Sequence, residues 1–425
     1  MKSEISALCG FLDASKSVYH AQQAVVRRLE EAGYARLNEW EGWSVTSGGK
    51  YYVTRGGSAV AAFRIPEGRP TGFLFSASHC DRPCLQYKGI LEGGSYTRIA
   101  VEGYGGAILS TWLDRPLSLA GRVSVATADG IQNKLIDIDR DLLVIPNVAI
   151  HMNREVNTGY KWNPAVDLLP LAGGPEAAQK LRDALEEAAG GKLLGHDLYL
   201  YLRQKATVWG AGEEYISAQA LDDLECVWGC TQGFLEAQPS RAIPVLCVFD
   251  SEEVGSGSVQ GAASTLLRDV VERICGSLGY PAGELLAQSF MVSADNAQAV
   301  HPNHPEYADP SNAPVPGGGV VVKFNANLRY CTDGAAAALL KIIAEKAGVR
   351  TQDYRNRADI PGGSTLGRIS LAQISVPTAD IGLAQLAMHS AFETASAKDA
   401  GDLLALMRAY YSSALERTED GYRVI

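Results

Sequence analysis

Between residues 11 and 33 apolar side chains return every three or four positions, at Val18, Ala21, Val25 and Leu29, and Gly33 follows. That spacing predicts a helix with a glycine stop. The period then changes. Residues 51–53 and 59–63 are two short apolar runs on either side of Arg55-Gly56-Gly57, the pattern of paired strands around a turn. Residues 73–78 predict a buried strand, with His79 and Asp81 at its C-terminal end. From about 87 to 219 short β-like runs dominate (98–102, 122–127, 142–145), separated by turn-rich segments. Inside that block, 176–189 is a charge-rich helical stretch between Gly173 and Gly191, expected to lie in solvent. After Ala220 strand–loop–helix units return, with strands at 245–249 and 320–324 and helices at 261–276, 335–347 and 400–415. Strands alternating with helices predict a mainly parallel sheet covered by helices. The expected fold is therefore α/β: a helix-covered domain built from 1–86 and 220–425, with a β-rich block, 87–219, inserted in it.

At 425 residues the chain exceeds one ordinary core. Its 46% hydrophobic and 20% charged residues are those of a globular protein. No apolar run reaches the roughly 18 residues of a membrane span, and no signal-peptide pattern follows Met1, so a cytoplasmic protein without a membrane partner is expected. Acidic residues outnumber basic ones 48 to 38, a formal charge of −10. This argues against nucleic acid as a partner, because Lys and Arg contacts to phosphate supply most of that affinity. The eight cysteines include no CxxC pair and read as free, mostly buried thiols.

The chain lacks a GxSxG elbow, an HExxH helix and a GxxxxGK[ST] phosphate loop. Gly255-Ser256-Gly257-Ser258 reads as a turn. What remains is a set of metal-ligand types at predicted element ends. His79 and Asp81 follow a buried strand, where an imidazole can bind zinc and a neighbouring carboxylate can orient it. Glu252-Glu253 follows the strand 245–249. Two adjacent glutamates in a low-dielectric pocket repel unless a cation or a proton divides their roles. Asp222-Asp223, Asp295-Asn296 and His389 add further candidates. Taken singly, each has a bland alternative: a turn, a helix N-terminus, a loop, a solvated acidic pair, a core histidine. Taken jointly, two histidines and three separate carboxylates suffice for two metals sharing one bridging carboxylate, with a glutamate left as base.

The runs SASHCDRPC, SAQALDDLECVWG, VFDSEEVGSGSVQGA, SADNAQAVHPN, VVKFNANLRYCTD, IPGGSTLG and ADIGLAQLAMHS, in that order, resemble the aspartyl aminopeptidase family. FLDASKSVYHAQQ and YGGAILSTWLDRPLSLAGRV are similar to it as well, so the resemblance covers nearly the whole chain. It implies a metal-dependent aminopeptidase that hydrolyses the N-terminal residue of peptides through a metal-bridging water, with Asp or Glu preferred. Two divalent ions, expected to be zinc, would be held by His79, Asp222 and Asp295 and by Asp222, Glu253 and His389. Asp222 would bridge, Asp81 would support His79, and Glu252 would be the general base. Lys323 and Tyr330 match a pocket for an acidic side chain. His151 lies in an apolar, strand-like run (Val148, Ile150, Met152), where a histidine packing the core of the inserted block is the bland reading; it matches a histidine lent to a neighbouring subunit, and the inserted block matches one that forms dimers within a dodecamer. Cys80, Asp223 and Ser251 stand where Thr, Asn and Asn are usual, and Gly362 and Arg368 replace Cys and Pro. A two-metal deacylase or carboxypeptidase of N-acyl amino acids is the rival from the same chemistry. A non-catalytic, metal-stabilised scaffold is the rival from another class.

Overall fold

The structure, a computed structural model, describes residues 2–425. Its largest sheet has nine strands, in the order Ala35–Arg36, Lys50–Arg55, Ala59–Arg64, Ile243–Phe249, Phe73–His79, Phe290–Ala294, Thr378–Gly382, Val320–Phe324 and Thr351–Arg355. The four strands from Ile243–Phe249 to Thr378–Gly382 are mutually parallel. Antiparallel neighbours flank them on both sides. Successive side chains of a strand face opposite ways, and here both faces are covered. Leu74, Leu246, Val248 and Val292 enter one core with the helices Val18–Glu31, Leu221–Glu236, Gly334–Lys346 and Asp399–Ser412. Phe73, Phe75, Val245, Cys247 and Phe249 enter the other with the helix Leu266–Leu278. Burial on both faces is why these strands read as unbroken apolar runs rather than alternating ones. Because the central strands are parallel, their C-terminal ends share one edge, where α/β sheets bind ligands.

A second, antiparallel sheet of six strands spans Cys84 to Leu202 and encloses its own core of Leu85, Ile99, Leu119, Val123 and Leu198. The helix Ala177–Ala189 buries Leu181, Leu185 and Ala189 in that core. The expectation of a solvated excursion is thus corrected: apolar side chains four apart give the helix one packed face, which its charged residues obscure in the sequence. A third sheet joins Thr207–Trp209 and Tyr215–Ala218 to Glu393–Ser396, Ala384–Leu386 and Ala297–Gln298.

Other differences are local. The stretch 11–33 is two helices, Lys2–Ala14 and Val18–Glu31, parted where the Ser15 hydroxyl donates to the Phe11 carbonyl and Ser17 is extended. Residues 142–145 make only single bridges, Leu117 to Leu143 and Val144 to Leu171. The last helix stops at Ser412, and Leu415–Thr418 pairs with Gly421–Val424. All eight cysteines are unpaired, and most are buried. Among the described residues no helix is long and apolar enough to cross a membrane.

The helix Leu221–Glu236, which begins with the Asp222-Asp223 pair, packs closely on Asp399–Ser412 through two glycines. A Cβ at Gly229 would lie 2.7 Å from Leu403 Cδ2, and one at Gly233 2.6 Å from Met407 Cβ and 2.8 Å from the Arg408 nitrogen. Ala is favoured over Gly inside a helix by about 1 kcal/mol, but overpacking against a backbone atom costs about 1–3 kcal/mol. Gly233→Ala is therefore expected to lower the thermal midpoint, and a raised midpoint in a melting experiment would contradict this packing.

Candidate metal centre

The C-terminal edge of the main sheet collects the acidic and imidazole groups. Phe73–His79 ends on His79, Ile243–Phe249 leads into the turn Glu252–Val254, and Phe290–Ala294 leads into Asp295. Asp222 enters from the start of its helix, across a cis peptide bond to Asp223. His389 sits between Ala384–Leu386 and Glu393–Ser396, at φ 67°.

These groups form three overlapping sets, one of them His79 with Glu252 and Glu253. His79, Asp222 and Asp295 lie within ligand distance of one another, as do Asp222, Glu253 and His389. His79 Nε2 is 3.5 Å from Asp222 Oδ1, His389 Nε2 is 3.5 Å from Asp222 Oδ2, and His389 Nε2 is 3.4 Å from Glu253 Oε2. Two donors each about 2.0–2.1 Å from a tetrahedral ion stand about 3.3–3.4 Å apart, so these gaps fit ligands around a cation. Asp222 Oδ1 and Glu253 Oε1 are buried without a hydrogen-bond partner, which also fits a missing positive charge.

Each imidazole is held through its other nitrogen. His79 Nδ1 is 3.2 Å from the Asp81 carbonyl oxygen and 3.3 Å from Asp81 Oδ1. His389 Nδ1–H donates to the Gly106 carbonyl at 3.2 Å. Both leave Nε2 facing the carboxylates, the tautomer a metal needs. Asp81 does more than orient His79. Its two oxygens accept the backbone N–H groups of Glu252, at 3.0 Å, and Glu253, at 3.1 Å, and it also accepts the Tyr104 hydroxyl at 2.8 Å.

Burial pushes the Glu252 carboxyl up to about 7, with Asp295, Asp222 and Asp81 adding to it against His79. Burial and Asp222 push Glu253 up to about 11. Burial opposes charge on His79, yet hydrogen bonding to Asp222 and Asp81 raises it well above its usual value. Asp223, which accepts the His79 N–H at 3.2 Å, is driven far up by burial and by Asp295 and Asp222. Burial is the largest cause of each carboxyl shift, and repulsion among the crowded carboxylates adds to it.

A cavity of about 150 Å³ opens on the cluster, and Lys323, Tyr330 and Tyr354 line its other wall. Lys323 is buried. Its ammonium donates to the carbonyls of Asp295, at 2.5 Å, and Asn296, at 3.2 Å, and lies 5.1 Å from the Tyr330 ring centre. His151 is not in the cluster; it occupies an exposed turn, not the strand-like run expected for 148–152, and so is not a core histidine.

Sequence reasoning missed Glu393. Buried beside the cluster, it accepts the Asp222 N–H at 3.0 Å and the His389 N–H at 2.7 Å, and burial with Asp222 pushes it up to about 8. It also missed Tyr104, and Asn296 as a hub that donates to Leu221 and Gln385 and accepts from the Leu383 N–H. Glu393 lies four residues after His389, a spacing that could have flagged it, whereas Tyr104 and Asn296 act on partners distant in sequence.

The family described as aminopeptidase I zinc metalloprotease (M18) matches residues 11–411. A probable M18 family aminopeptidase 2 from Clostridium acetobutylicum is 39% identical over 419 residues, covering 94% of this chain and 97% of its own. Its namesake from Pseudomonas paraeruginosa is 36% identical, covering 97% and 99%. Among solved structures, a complex of Ape4 and Nbr1 superposes with a TM-score of 0.93 at 34% identity, covering 97% of this chain and 86% of that one. The mApe1 dodecamer of S. cerevisiae superposes at 0.85 with 25% identity, covering 97% of each chain. A match over nearly the full length, in sequence and in fold, means that this chain belongs to the M18 family of zinc metallo-aminopeptidases.

Proposed function

We propose that this aminopeptidase uses two zinc ions bridged by Asp222 to remove N-terminal residues, acidic ones preferentially, within a dimer-based dodecamer. The observation that carries the reading is the sharing of Asp222 by two sets of three ligands. His79 and Asp295 would complete one set, and Glu253 and His389 the other. Imidazole and carboxylate donors without thiolate suit zinc in a hydrolytic site. When bound, the ions supply Lewis acidity towards the scissile carbonyl and acidify a water. Glu252, at the edge of the cluster and not needed as a ligand, is placed to take a proton from the attacking water and to return it to the leaving amine. Asp81 keeps Glu252 at its station by accepting its N–H. The unpaired cysteines fit a reducing compartment, the cytoplasm.

Lys323 and Tyr330 form the wall for the substrate's first side chain. An ammonium has three N–H donors; two are engaged with carbonyls, and the third side faces Asp295 Oδ1 at 3.6 Å, a contact that a substrate carboxylate would share. The block 87–219 is the oligomerisation domain. Its exposed Val148, Ile150 and Met152 flank His151, and a second copy covering that surface would bring His151 to the neighbouring site as a donor to the developing oxyanion.

Three outcomes test this reading. Glu252→Ala should retain both ions yet lose about 10²–10⁴-fold in turnover, the usual weight of a general base; elemental analysis showing a lost ion would overturn the division of roles. Lys323→Met should lower the ratio of turnover on aspartyl to leucyl substrates, because a buried ammonium rejects side chains that leave it unpaired; an unchanged ratio would remove Lys323 from the pocket. His151→Ala alone should cost about 10²–10³-fold. Co-expressed with Glu252→Ala, it should regain activity, since a protomer with intact Glu252 receives His151 from its partner. Verified mixed oligomers as inactive as the parents would show that His151 does not act in trans.

A further inference from the structure

Where the inserted sheet meets the metal cluster, three consecutive residues touch it in three different ways. The strand Thr97–Tyr104 ends in Tyr104, whose hydroxyl donates at 2.8 Å to Asp81 Oδ2. That same oxygen accepts the Glu253 N–H at 3.1 Å. Gly105 follows at φ 68°, and a Cβ there would lie 3.1 Å from Glu253 Cβ and 3.3 Å from Pro83 Cα. The left-handed backbone and the missing Cβ together let the chain press against Glu253. Gly106 then accepts His389 Nδ1–H through its carbonyl at 3.2 Å.

The segment stays attached beyond this turn. The Ile108 N–H donates to the His389 carbonyl at 2.9 Å, and Thr111 Oγ accepts the Ala391 N–H at 2.9 Å. Tyr104 reaches Asp81, and the other contacts fall on Glu253, Pro83, His389 and Ala391. The two ligands specific to the other set rest mainly on the main sheet: His79 ends one of its strands, with Asp81 against its Nδ1, and Asp295 is held by Lys323 from Val320–Phe324, two strands away.

We propose that the Tyr104-Gly105-Gly106 turn is a positioning device for the ion held by Asp222, Glu253 and His389. The inserted sheet thereby bears mainly on this metal position and reaches the other only through Asp81 and His79. This rests on the ligand assignment of the previous section. The physical basis is twofold. A carbonyl accepting Nδ1–H fixes the ring's tautomer and orientation and raises the basicity of Nε2. A hydroxyl on Asp81 Oδ2 steadies the oxygen that anchors the Glu253 backbone.

The test measures removal of the two ions from purified, full-length holoenzyme by a competing chelator, and the visible spectrum of the cobalt-substituted protein. The variants are Tyr104→Phe and Gly105→Ala, with Glu253→Gln and Asp295→Asn as references that identify the two steps. Tyr104→Phe removes one hydroxyl and keeps the ring, and Tyr199→Phe, on the ring packed edge-on against Tyr104, controls for packing. Each turn variant should weaken the step that Glu253→Gln weakens by about 10–100-fold, weaken the Asp295 step less, and alter the cobalt spectrum. The turnover number should fall with KM shifted less than about twofold, as for an interaction absent from substrate binding. Unchanged steps, or equal weakening of both, in turn variants that remain folded by circular dichroism would overturn the proposal. If Glu253→Gln itself weakens neither step, the ligand assignment fails first and takes the proposal with it.

Discussion

Crowded, buried negative charge is the constraint on which the rest of this structure depends. Asp81, Asp222, Asp223, Asp295 and Glu393 are all buried in or against one cluster, with Glu252 and Glu253 beside them. Removing an ion from water costs on the order of several kcal/mol unless charge and hydrogen bonds compensate. The polypeptide compensates only in part, through His79, His389 and Lys323, and burial, with neighbouring carboxylates adding to it, raises Glu252, Glu253 and Glu393. A fold that tolerates such a cluster must hold it rigidly, since relaxation would let the carboxylates move apart or reach water.

Rigidity comes from where the groups are attached. Parallel strands buried on both faces terminate together, so His79, the Glu252-Glu253 turn and Asp295 start from anchored backbones. The remaining pieces arrive from three directions: the helix carrying Asp222, the small sheet carrying Glu393, and the inserted sheet carrying Tyr104. The site is thus a junction of three sheets, and each supplies at least one backbone-level restraint.

What could be read from the sequence follows the same division. Groups at the ends of apolar strands were legible because a strand's period announces its end; His79, Glu252-Glu253 and Asp295 belong here. Asp222 and His389 carried weaker signals, one resembling a helix N-terminus and the other a buried histidine, and the family resemblance singled them out. Tyr104 and Gly106 were not legible, because they work on residues 23 and 283 positions away, respectively, and Glu393 went unmarked although it follows His389 by four residues. Periodicity also hid the packed face of Ala177–Ala189 behind its charges and the break between the first two helices behind a continuous apolar rhythm. His151 was read as part of a strand because Val148, Ile150 and Met152 alternate, yet their side chains are exposed, so the alternation reports surface and not a sheet.

Glu393 has a consequence in the vocabulary of acceptors and donors. It meets two backbone N–H groups, one from Asp222 and one from His389, each on its own oxygen. Asp81 meets the N–H groups of Glu252 and Glu253 in the same way. Only a carboxylate offers two equivalent acceptor oxygens on one carbon. A glutamine or asparagine would turn one of them into an NH₂ facing an N–H, and a hydroxyl would reach only one of the two. The acid at each of these positions is therefore selected by the shape of its acceptor pair, a two-pronged staple that ties two main-chain segments to a common point.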